Sequence, residues 1–120
     1  YKTVLIERIL AKSAGEQGDS IEQKRHYKTV VANLDHYITS FRMEADSIMK
    51  LSDWNNIPLT SYAFVIAERY CDQAKIAGKQ KTLSELDALQ KATGYNQDFI
   101  NWVKDVVSGD KGQSIQILFD

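Results

Sequence analysis

The side chains with the most specific chemistry in this 120-residue chain are two carboxamides and four lysines. Gln97 and Asn101 stand four positions apart, which puts both amides on one side of a helix, and Lys104 follows within the next turn. Each amide offers a donor beside an acceptor, the pattern that pairs with the major-groove edge of adenine. Upstream, Lys75, Lys79 and Lys81 fall within residues 73–84, a stretch that contains no acidic side chain. Such a cluster suits contact with phosphate.

These groups must be positioned by two short helices within residues 82–107. Thr82 and Glu85 have the spacing of a capping box, and Leu83, Leu86 and Leu89 give the helix they open an apolar side. Gly94 supplies the left-handed turn residue, and Phe99, Ile100, Val103 and Val107 form the next apolar stripe. The segment resembles a helix-turn-helix, with residues 95–104 as the recognition helix exposing Asn96, Gln97, Asn101 and Lys104. That resemblance implies a DNA-binding domain, winged if the closing segment with Lys111 and Gln113 forms a hairpin. Gln90 stands where a small residue is usual. Residues 81–120 hold four basic against six acidic side chains, a poor field for phosphate, so DNA binding is the second choice.

Composition sets the frame for both choices. With 43% hydrophobic residues, one proline and six glycines, the chain predicts a single all-α domain of about five helices over residues 1–120. Fifteen basic side chains against sixteen acidic ones leave a net charge of −1, without the basic excess usual for proteins that live on nucleic acid or anionic lipid. No apolar run reaches the ~20 residues of a membrane span. The lone Cys71 rules out an internal disulfide framework and points to a reducing, cytoplasmic setting. The chain opens on Tyr1 rather than methionine, as a fragment of a larger protein would.

Along the chain, Val4, Leu5, Ile6, Ile9 and Leu10 make an apolar stripe at helical spacing, broken at residues 15–18. Asp19 and Glu22 form a second capping box. Apolar residues then recur at threes and fours over residues 20–49, which predicts one helix ~45 Å long with a kink at 40–42. A rod of that length outruns a ~26 Å globule, so part of it should project or pair with another chain. Its apolar arc is wide, and Tyr37, Phe41 and Met43 lie on it. Trp54 sits in a polar loop beside Asn55 and Asn56, a setting for an interface anchor. Residues 114–119 read as a short strand or an extended tail.

Other reactive side chains are given ordinary roles. His26 and His36 are ten positions apart and face different ways on one helix, so they cannot share a metal. Glu7–Arg8, Glu44–Asp46 and Glu68–Arg69 read as surface charge, and no catalytic pattern or cofactor motif is present. The expected function is therefore a non-enzymatic interaction or assembly module. It would recognise a protein partner or its own copy through Tyr37, Phe41, Met43 and Trp54.

Overall fold

The computed structural model describes residues 2–50 and 61–109. Among them run six helices: α1 (Lys2–Glu16), α2 (Ser20–Ser40), α3 (Arg42–Met49), α4 (Ser61–Ala77), α5 (Lys79–Thr93) and α6 (Gln97–Ser108). The fold is all-α, with no strand among the described residues. The strand or tail expected at 114–119 and the loop expected at 52–58 lie outside the described residues.

Six helices replace the expected five because the long helix breaks at Phe41. In the last turn of α2, Thr39 Oγ1 donates to the Asp35 carbonyl at 2.9 Å and Ser40 Oγ to that of Tyr37 at 2.6 Å. Hydroxyls that bond back in this way compete with the backbone ladder. Phe41 leaves the helix at φ −122°, ψ 20°, and its N–H turns to the carbonyls of Ile38 and Thr39. Its own carbonyl then accepts from Ala45 N at 3.0 Å and starts α3. The ring is drawn into the core, 4.5 Å from the stacked ring of Tyr62. The expected ~45 Å rod is thus replaced by a 21-residue helix about 31 Å long, followed by a separate short one.

The two predicted capping boxes fare differently. Asp19 caps α2, its Oδ1 accepting from Glu22 N at 3.1 Å, but Glu22 turns to Arg25 instead of reaching back. Thr82 is no cap at all. α5 begins earlier, at Lys79, and Thr82 is a buried first-turn residue whose hydroxyl donates to the Gly78 carbonyl at 2.9 Å. Gly78 closes α4 and opens α5 with φ +90° and ψ 158°, a conformation open in practice only to glycine.

α4 is the central helix. Ala63, Val65, Ile66 and Ala67 are all buried, and the helix packs against α2, α3, α5 and α6. Around it gather Val30 and Leu34 of α2, Met49 of α3, Leu86 of α5 and Phe99, Ile100 and Val103 of α6. The turn between α5 and α6 is tied to α3 by Asn96 N donating to the Met49 carbonyl at 2.7 Å, and by Tyr95 OH donating to Asp46 Oδ1. α1 packs chiefly on α2 and adds Val4 to the same core.

Candidate functional site

α1 carries apolar side chains on two opposite sides. Val4, Ala11 and Ala14 are buried, and the small alanines let α1 sit close on α2. Leu5, Ile6, Ile9 and Leu10 point the other way and are 39–66% exposed. At 100° per residue the four span an arc of about 140°, opposite the buried stripe. A helix of this kind is normally covered on both sides. Among the described residues, four large aliphatic side chains side by side on one exposed face make the most distinctive surface.

Two side-chain contacts between helices fix α1 so that this face points outward. Arg8 reaches across to α4, where Nη2 lies 2.6 Å from Glu68 Oε1 and 2.6 Å from Asp72 Oδ2, while Nε donates to Asp72 Oδ1 at 3.2 Å. Both carboxylates are buried, and they stand at i and i+4 on one side of α4. One guanidinium thus serves two carboxylates. Burial works to lower the Arg8 pKa, but the hydrogen bonds and charges of Asp72 and Glu68 outweigh it and hold it above the ordinary value. Asp72 is raised, because the burial that penalises its charge exceeds what its share of Arg8 returns. Nearer the turn, His26 Nδ1 of α2 lies 2.5 Å from Glu7 Oε2, with Glu22 Oε2 3.6 Å from Nε2. Glu7, Arg8 and Glu68 are therefore structural groups between helices, not the surface charge their sequence neighbours suggested.

The residues predicted for an interface are dispersed. Met43 is 84% exposed on α3, and Tyr37 is exposed on α2 with its ring edge-on to Phe41 at 5.2 Å. Phe41 belongs to the core at 6% exposure and presents nothing to a partner. Trp54 lies outside the described residues. Tyr37 also lines a groove of about 320 Å³ with Val4, Asn33, Leu34, His36 and Ser40. That groove gathers one imidazole and no charged side chain.

The predicted DNA-reading residues are engaged with one another and with the fold. Gln97 Nε2 donates to Asn101 Oδ1 at 3.0 Å, and Lys104 pairs with Asp87 of α5. Lys79 Nζ donates to the Ser108 carbonyl at 3.1 Å, which joins the start of α5 to the end of α6. The other ends meet at Gly94, which takes the expected left-handed cap at φ +72°. α5 and α6 are thus joined at both ends, through Lys79 at one and through Gly94 at the other. Lys75 and Lys81 are exposed. Only Lys75 closes a helix; Lys79 and Lys81 open one, where cations are disfavoured. Lys111 and Gln113 lie outside the described residues.

Leu5, Ile6, Ile9 and Leu10 were readable as a helical stripe, but their outward orientation was not read. The signal was present: together with Val4 they wrap too much of the helix for one core-facing side. Among the described residues no group of histidine, cysteine and carboxylate side chains is arranged to hold a metal, and no helix is long and apolar enough to cross a membrane. Compared with protein-family models, with curated proteins and with solved structures, the chain matches none.

Proposed function

We propose that this chain is a non-enzymatic helical assembly module that docks a protein partner on the outer face of α1. The observation that carries the proposal is the exposure of Leu5, Ile6, Ile9 and Leu10 on a helix already using its opposite side for the core. Their exposed fractions amount to about two whole aliphatic side chains. At about 1.5–3 kcal/mol for each one removed from water, a partner that covers them gains roughly 3–6 kcal/mol from this copy alone. The buried Arg8 contacts and the His26–Glu7 pair supply the rigidity that such a surface needs, since a face held in place loses less entropy on docking. Exposed Met43 and Tyr37 remain available as secondary contacts. A reducing, cytoplasmic setting suits a chain whose only cysteine is Cys71.

The test is site-specific photocrosslinking in the native cell. A benzophenone side chain at position 5, 6, 9 or 10 is expected to give a discrete adduct, and one at Lys28, exposed on α2, is expected to give none. Absence of adducts from all four α1 positions would sink the proposal.

A further inference from the structure

We infer that the partner is a second copy of this chain, paired through antiparallel α1 helices with the two-fold axis at Ile9. The inference rests on the assembly proposal above and names its partner. Lys2, Ile9 and Glu16 are spaced seven apart, so they fall on one line along the outer face of the helix. Ile9 is the most exposed of the four aliphatic residues, and Lys2 and Glu16 are exposed at the two ends of α1. An antiparallel copy centred on Ile9 sets Ile9 against Ile9, and each Lys2 against the Glu16 of the other chain. A parallel copy would instead set lysine against lysine and glutamate against glutamate. Between the two ways of pairing with its own copy, the charge pattern therefore selects the antiparallel one.

A second feature supports this arrangement. α1 has no acidic residue in its first turn and no basic residue in its last. Lys2 stands at the positive end of the helix dipole and Glu16 at the negative end, so each opposes the helix that carries it. Side chains that break a local rule call for a compensating gain elsewhere, and the antiparallel copy provides it. A two-fold pair also uses the same aliphatic patch twice, which gives a self-complementary interface of the commonest symmetric kind.

The experiment is sedimentation equilibrium of the purified chain over a wide concentration range, with three variants. The expected result is a mass rising from one chain to two. Ile9→Glu, on an exposed position outside the core, should weaken pairing by roughly 100-fold, because the change falls twice at the interface centre. Lys2→Glu should weaken it, and Lys2→Glu with Glu16→Lys should restore it. Each charge swap favours the dipole of α1, so lost pairing in the single variant cannot be laid to helix unfolding. Ile9→Cys with Cys71→Ser should form a disulfide-linked pair on mild oxidation. A purified chain that stays single at every concentration would overturn the inference. So would a dimer indifferent to Ile9→Glu, or one that the double swap leaves weak. An adduct at position 9 with a different protein, alongside a single-chain mass, would overturn self-pairing and leave the assembly proposal intact. A single-chain mass with no adducts at all would remove both.

Discussion

Replacing Arg8 with methionine tests whether α1 is held by charge. Methionine keeps much of the stem that packs between α1 and α4 and removes the guanidinium. Glu68 and Asp72 then remain buried, side by side and without their cation. Breaking a buried ion pair from one side costs about 3–5 kcal/mol, because a charge is left without compensation. The Arg8 side chain is 15% exposed, so a value near 3 kcal/mol is expected. The pH dependence is the sharper part. Asp72 is already raised above its ordinary 3.8 by burial, and Arg8 is what restrains it. Without Arg8 it must rise further. A carboxyl raised in the folded state stabilises the fold most below its unfolded pKa, and loses that contribution as pH climbs through the folded one. The deficit of Arg8→Met should therefore be largest near neutral pH and shrink as pH falls toward about 4. Urea unfolding followed by circular dichroism at about pH 7 and pH 4.5 reads both numbers. Adding Asp72→Asn should recover stability at neutral pH and little in acid. An equal deficit at both pH values, or one below about 1 kcal/mol at neutral pH, would refute the account of the triad.

Three further outcomes follow from the same structure. Gly78→Ala should destabilise by about 1–3 kcal/mol, and Gly94→Ala, with φ +72° and ψ 20°, by about 1–2 kcal/mol, since only the first conformation is nearly closed to other residues; equal midpoints in urea would count against this ordering. Tyr95→Phe removes the hydroxyl that binds Asp46 and should cost about 1.5–3 kcal/mol, read by thermal or urea unfolding, while a neutral effect would mean the bond does not secure the turn. Cys71 should resist alkylation in the folded chain at mildly alkaline pH and react fast in urea. Burial, followed by the charge of Asp72, pushes its thiol up to about 12, and rapid labelling without denaturant would contradict that.

Much of the fold could be read from the sequence because its signals are local. Asp19 caps a helix, Gly94 ends one, and the stripe of Phe99, Ile100, Val103 and Val107 faces inward. The kink predicted at 40–42 is a full break, and Phe41 lies at its centre. What escaped depended on distance along the chain. Arg8 stands sixty positions from Glu68 and sixty-four from Asp72, and no periodicity links residues so far apart. Thr82 shows the converse failure: its spacing to Glu85 fitted a cap, but Gly78 offered the chain a sharper corner four residues earlier. The outer face of α1 was missed for another reason. Periodicity tells which residues share a side and is silent on which side the rest of the molecule occupies.

The Gly78 corner also bears on how this chain can vary in length. Its N–H is taken by the Ala74 carbonyl, and its own carbonyl by the backbone and hydroxyl of Thr82, so a single residue belongs to two helices at once. With no spare residue between α4 and α5, one insertion or deletion there would rotate everything downstream by about 100° about the helix axis. Leu86, and with it Phe99, Ile100 and Val103, would swing away from α4 together. Natural variants of this chain should therefore keep the spacing from Ala74 to Thr82 fixed and take up changes in length elsewhere.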